Sequence, residues 1–254
     1  MENKQLEQLT NDETVAKIEK PSTITEQYDN FSENYSKKMK IQDEIGNKRF
    51  YEILESVDLK DKNLLDVGCG DGTDLSRFKE MGAIPFGVEP SEEFVNSAKE
   101  KNPDMVIEKG VGEKLPFEDK FFDIVVSKYA MQTSPDVPKI FQEVARVLKP
   151  EGHFVFLSKH PFRQFLEKIN THKRENKEDG IDYFKQEIVD SFIFEKTIHL
   201  KEPSHSLSEY FSPEILKDFD LQDFREEKDF PASEQIDGMT YPTFFVVKYQ
   251  RRKE

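Results

Sequence analysis

The chain of 254 residues has 22 Phe, no Trp and one Cys, with 35% hydrophobic and 35% charged residues. A single cysteine excludes an internal disulfide, a Cys-rich zinc site and any methylation chemistry that needs two cysteines. The net charge of −14 argues against nucleic acid as a partner, because binding to a phosphate backbone rests on Lys and Arg neutralisation. No stretch approaches the length of a membrane span, and the N-terminus lacks the apolar core of a signal peptide. A soluble, cytoplasmic protein acting on a small molecule is expected, in one α/β domain with room for an insertion.

Residues 1–23 are polar and read as a flexible N-terminal segment, and 24–254 as the folded domain. Residues 24–56 read as helical, with Tyr28, Phe31 and Tyr35 on one face and Phe50, Ile53, Leu54 and Val57 on the next apolar run. Strands and helices then alternate. Strands are expected at 63–67, 84–88, 105–108, 122–127 and 153–157, with helices after Gly72, at 92–101 and at 137–148. Lys149–Pro150–Glu151–Gly152 reads as a stop signal between the last helix and the last strand. This order predicts a parallel sheet with helices on both faces. The charged, Phe-rich stretch 160–205 is too long for a connection and reads as an inserted cap. A helix over 207–219 and two closing strands at 221–228 and 243–250 follow.

The segment LLDVGCGDGTDL carries the densest information. Gly68, Gly70 and Gly72 follow a buried strand and precede a helix, so the backbone can turn sharply and approach a ligand, and the helix start offers free N–H groups. The spacing departs from the dinucleotide fingerprint G-x-G-x-x-G/A, and a Walker A loop is absent. Asp66 stands two residues before the first glycine, where a dinucleotide-binding strand continues apolar; its carboxylate suits an ammonium group. Glu89 closes the next strand, 23 residues on, where an acid can accept two ribose hydroxyls. The alternative for Glu89 is a charge at a helix start, since Ser91 can cap that helix.

With these residues in view, the chain resembles the class I S-adenosylmethionine-dependent methyltransferases, in the small-molecule branch related to the quinone-biosynthesis enzymes. LLDVGCGDG is similar to the family's first motif, GVEPSEEFVNSAK to its second, and GEKLPFEDKFFDIVVS to its third and fourth. VPKIFQEVARVLKPEGHFVF is similar to the helix and strand that follow. The resemblance implies a Rossmann-like, seven-stranded, mostly parallel sheet with one antiparallel strand and S-adenosyl-L-methionine as cofactor. It places Asp66, Gly68, Cys69, Gly70 and Gly72 around the methionine portion, Glu89 at the ribose and Pro90 near the adenine. Val111, Gly112, Glu113 and the carbonyl of Ser127 flank the adenine edge. Val111 departs from the family's common Asp, so Glu113 or water takes that contact. Tyr28 and Tyr35 belong to a leader that resembles the family's lid over the cofactor. Cys69 reads as a small filler of the loop rather than a nucleophile.

Methyl transfer from a sulfonium is an in-line displacement from an activated donor, so positioning supplies much of the rate and a general base is optional. The acceptor is expected at the carboxyl ends of the fourth and fifth strands, near Tyr129, Gln132 and His160. Gln132 stands where the family frequently has His, which leaves His160, and after it His205, as candidate bases. Ser127-Lys128-Tyr129-Ala130 lacks the acidic or Asn residue and Pro-Pro pair of DNA amino methyltransferases. The reading is methyl transfer to an O or N, or C, atom of a small metabolite, with no metal. A non-catalytic protein that binds S-adenosylmethionine is the alternative; an NAD-dependent oxidoreductase is disfavoured by the glycine spacing.

Overall fold

The computed structural model describes residues 23–29, 44–193, 198–228 and 240–253; Phe31, Tyr35 and residues 1–22 lie outside them. Two helices open the chain, α1 (Ile24–Asp29) and α2 (Glu44–Leu54). Then come β1 (Asn63–Val67), α3 (Thr73–Glu80), β2 (Ile84–Glu89), α4 (Glu92–Lys101), β3 (Val106–Lys109), β4 (Phe122–Lys128), α5 (Val137–Val147) and β5 (Leu148–Lys159). These strands and the closing pair, β8 (Phe219–Glu227) and β9 (Phe244–Arg251), form one sheet in the order β3-β2-β1-β4-β5-β9-β8. All neighbouring pairs are parallel except those of β9, which runs antiparallel to both β5 and β8.

The buried strands read as nearly unbroken apolar runs because both faces of the sheet are covered. Successive side chains point to opposite faces. Thus Leu65, Val125, Phe154, Phe156, Phe245 and Val247 pack with α5, around Phe141 and Val144. Their neighbours Leu64, Ile124, Val126, Val155, Leu157 and Val246 pack with α2, α3 and α4, around Phe50, Leu54 and Phe78. Phe141 meets Phe154, Phe156 and Tyr249 edge-on, with ring centroids 5.5–5.9 Å apart, a favoured aromatic geometry. Phenylalanine thus fills the space in a core without tryptophan.

Two boundaries differ from the sequence reading. Strand β5 begins at Leu148 rather than 153: the Lys149–Gly152 stop signal is a bulge inside the strand, where the register against β4 shifts and Glu151 takes φ +64°. A bulge tolerates Pro150, whose missing N–H would break a regular ladder. The helix expected over 207–219 is two short turns, α7 (Ser208–Phe211) and α8 (Pro213–Leu216). Pro213 pushes Ser212 into an extended conformation, φ −67° and ψ 157°, which ends the first turn.

The stretch after β5 forms a helix, α6 (Pro161–Arg174), and a separate antiparallel pair, β6 (Ile188–Ile193) and β7 (Ile198–Pro203). This segment is joined to the sheet by buried charge. Lys159, at the end of β5, contacts Glu202 and Ser191 through its ammonium and lies 3.4 Å from Glu167 of α6. All four side chains are buried. Burial raises the Glu167 carboxyl above its ordinary range, against the pull of Lys159 and Arg163. Replacing Lys159 with Met strands Glu202 and leaves Glu167 with Arg163 alone, which should cost about 3–5 kcal/mol. Denaturant unfolding would read that loss near pH 7, and the deficit should shrink as pH falls and the two carboxyls take up protons.

Candidate functional site

The site grows from the ends of β1 and β2. After Val67 the chain turns through Gly68 and Gly70, with φ of +80° and +53°, a region that L side chains avoid. The N–H groups of Gly68 and Cys69 both donate to the Val88 carbonyl, at 2.8 and 3.1 Å, which folds the turn back over β2. A Cβ on Gly68 would lie 2.3 Å from that of Ala130, whereas one on Gly70 would meet nothing within 4 Å. Gly68 therefore permits a close crossing of two loops, and Gly70 leaves open space.

Glu89 joins this turn to the helix after β2. Its two carboxylate oxygens accept from the Gly70 N–H at 3.1 Å and the Ser91 N–H at 3.0 Å. Both bonds favour the ionised form, but burial outweighs them and pushes the carboxyl up to about 7. Ser91 caps α4 by accepting from the Phe94 N–H at 3.2 Å, and its hydroxyl donates to Asp29 at the end of α1. Asp66 is buried too; desolvation, then Asp74 and Glu89, raise its carboxyl well above the usual range, and Lys128 pulls the other way. A cavity of about 750 Å³ brings Asp66, Gly68, Cys69, Gly70, Glu89 and Pro90 together.

The opposite wall was not legible as a motif. Asp74 of α3 accepts from the Tyr51 hydroxyl at 2.6 Å and pairs with Lys128, whose ammonium also donates to Asn47 at 2.8 Å. The Arg77 guanidinium stands 3.3 Å from the Tyr51 ring centre, a cation–π contact. These residues come from α2, α3 and the end of β4, so no local spacing links them. Thr25 and Tyr28 of α1 also line the cavity, with Tyr129 and Thr133 beyond β4.

Of the tyrosines singled out in the sequence, Tyr28 and Tyr129 line this cavity, and Tyr35 lies outside the described residues. Among the described residues, the lining does not include Gly72, Val111, Gly112, Glu113, Ser127, Gln132, His160 or His205. Gly72 faces Asn102 and Ala98 of the α4 end, and Gly112 packs against Ile140 and Val67. Val111 is exposed, and Glu113 accepts from the Ser134 hydroxyl. The Ser127 hydroxyl ties β4 to the Val67 carbonyl at 2.9 Å. Cys69 is buried with its thiol pushed up by desolvation and then by Asp66 and Glu89, which suits a filler and not a nucleophile.

The two histidines, also outside the cavity lining, are held by hydrogen bonds. His160 caps α6: its Nδ1 accepts from the Phe162 N–H at 3.0 Å, so its proton is on Nε2, 3.1 Å from Glu226. Burial lowers its basicity against the pull of Glu226, and no ring lone pair is left for a substrate proton. The nitrogens of His205 face Glu209 at 2.7 Å and the Gln132 carbonyl at 3.2 Å. Both rings have structural partners, which a sequence position alone does not disclose.

Residues 65–156 match the family described as a methyltransferase domain. The chain is 32% identical over 133 residues to a sterol 4-C-methyltransferase of Caenorhabditis elegans, covering 50% of this chain and 38% of that protein. It is 37% identical over 99 residues to an uncharacterized methyltransferase of Bacillus subtilis, covering 37% and 39%. It therefore spans about two fifths of the length of these curated relatives. The fold matches the crystal structure of an S-adenosylmethionine dependent methyltransferase from Mesorhizobium loti with a TM-score of 0.63, at 21% identity, over 83% of this chain and 100% of that one.

The close crossing at Gly68 carries its own test. Gly68→Ala should destabilise the fold by about 2–4 kcal/mol, combining the collision with Ala130 and the left-handed backbone. Adding Ala130→Gly removes the collision alone and should recover roughly half of the loss in thermal unfolding. No recovery would show that the two loops are not in contact.

Proposed function

We propose that this chain, whose residues 65–156 match a methyltransferase domain, transfers the methyl group of S-adenosyl-L-methionine to an oxygen or nitrogen of a small polar metabolite. The observation that carries the reading is the pair of buried carboxyls, Asp66 and Glu89, on either side of a glycine turn that leaves room at Gly70. S-adenosyl-L-methionine, when bound, supplies an electrophilic methyl on a sulfonium. Asp66 pairs with the ligand's ammonium, a desolvated carboxylate being returned to its charged state by a cation. Glu89 accepts the ribose hydroxyls on the lone pairs that the Gly70 and Ser91 N–H groups leave.

The acceptor side is formed by Asn47, Tyr51, Asp74, Arg77 and Lys128, and a wall of charged and hydrogen-bonding groups supports a polar acceptor. The net charge of −14 speaks against nucleic acid. With His160 and His205 held by structural partners, the rate rests on positioning rather than on a histidine base. The insertion and α1 act as the cap. Gln27 of α1 clasps the edge of β7 through the Lys201 N–H and carbonyl, at 2.7 and 3.1 Å, while Asp29 meets Ser91 beside Glu89.

Isothermal titration against S-adenosylmethionine and NAD tests the cofactor reading: binding of the first and none of the second is expected, and the reverse overturns it. The Glu89 carboxyl, raised to about 7, must ionise to accept ribose hydroxyls. Affinity for S-adenosylmethionine should therefore rise with pH up to about 7, by up to about tenfold per unit on the acid side. Glu89→Gln cannot titrate; its affinity at pH 8 should be at least about tenfold lower, and the Glu89 part of the pH slope should vanish. The cap has a separate readout. S-adenosylmethionine should protect α1 from limited proteolysis, and Gln27→Ala should remove that protection while the sheet stays folded.

A further inference from the structure

The turn after β4 is held in a conformation that its own residue disfavours. Tyr129 has φ +53°, where a bulky side chain is a steric outlier. Such strain persists only where the surroundings over-determine it. Three contacts do so here. The Tyr129 N–H donates to the Leu157 carbonyl of β5 at 2.7 Å. The Tyr129 carbonyl accepts from Gln132 Nε2, also at 2.7 Å. Ser158 in turn donates to Gln132 Oε1 at 3.1 Å, which sets the direction of the amide. Gln132 and Ser158 are buried. The next residue, Ala130, is pressed against Gly68, so the turn sits directly on the glycine loop.

The strand order gives this turn a chemical position. Glu89 ends β2, Asp66 lies in β1, and β4 is on the side of β1 away from β2. In S-adenosylmethionine the sulfur joins the ribose to the methionine chain. A ligand with its ribose at Glu89 and its ammonium at Asp66 carries its sulfur between them over the glycine loop, against which the β4 turn is pressed at Ala130 and beside which Tyr129 lines the cavity. We infer that Tyr129 faces the sulfonium methyl and that Gln132, oriented by Ser158, is the positioning residue that keeps it there. The inference rests on the cofactor reading above. Gln132 is absent from the cavity lining, so its effect on the cofactor passes through Tyr129.

S-adenosylmethionine and S-adenosylhomocysteine differ only in the methyl and the positive charge on sulfur, so the ratio of their affinities reports the wall facing that atom. Isothermal titration of the full chain with both, and with adenosine for the ribose end, reads it without an acceptor. Gln132→Ala should lower the affinity for S-adenosylmethionine relative to S-adenosylhomocysteine by about fivefold, the scale of a cation–aromatic contact, with adenosine changed by less than about twofold. Gln132→His, whose ring N–H can donate to the Tyr129 carbonyl, should restore most of the ratio. Ser158→Ala is the milder variant, should shift the ratio in the same direction, and serves if Gln132→Ala does not fold. An unchanged ratio in a folded variant, or an equal loss for all three ligands, overturns the inference and leaves the cofactor reading standing. Wild-type protein that binds neither sulfur compound overturns both.

Discussion

The site depends on one buried carboxylate, Glu89, that holds two backbone N–H groups from different segments. The Gly70 N–H belongs to the turn after β1 and the Ser91 N–H to the start of α4. A side chain with two acceptor oxygens can close this gap, because each backbone donor would otherwise lie close to the sheet without a partner. Desolvation makes the ionised form costly, and the two N–H bonds recover only part of that cost, which is why the carboxyl titrates near 7 rather than at its ordinary value. The group is thereby left responsive to a further hydrogen-bond donor. Structure and reactivity have the same origin here.

A second electrostatic constraint governs the segment after β5. Leu166, Val189 and Leu200 of its helix and hairpin are buried, but Phe162, Phe184 and Ile188 are exposed. What fastens it is Lys159 at the end of a core strand, buried with Glu167 and Glu202. Buried pairs of this kind add little net stability over apolar packing, but they penalise any arrangement that separates the partners. Gln164 continues the clasp, donating to the Pro203 carbonyl at 3.0 Å and accepting from the His205 N–H at 3.1 Å. Through Gln27 the same hairpin meets α1, whose Thr25 and Tyr28 line the cavity.

The histidines show why residue type is a poor guide to role in this chain. His160 and His205 stand near the carboxyl ends of the strands, where a base would be useful. Each was attractive in sequence because an imidazole titrates near neutrality. In the fold each is enclosed, and the nearest donors and acceptors are those of a helix start and of neighbouring loops. Gln132, which lacks any titratable group, instead supports the strained turn beside the cavity.

The sequence by itself determined the alternation of strands and helices from β1 to β5, the parallel sheet they form, and the glycine turn with Asp66 and Glu89, while the single reversed strand came from the family resemblance. These are local: a short apolar run marks each strand buried on both faces, and glycines at fixed offsets mark a turn whatever the rest of the chain does. Boundaries that depended on partners were less legible, as at the Lys149–Gly152 bulge, which β4 and β9 hold inside a strand. Only the tertiary structure decided which polar residues meet. Asn47, Tyr51, Asp74 and Lys128 come from α2, α3 and β4, and Lys159, Glu167 and Glu202 span β5, α6 and β7. Their contacts follow from how helices cross the sheet, and that crossing is set by the summed packing of both apolar faces rather than by any short run of residues.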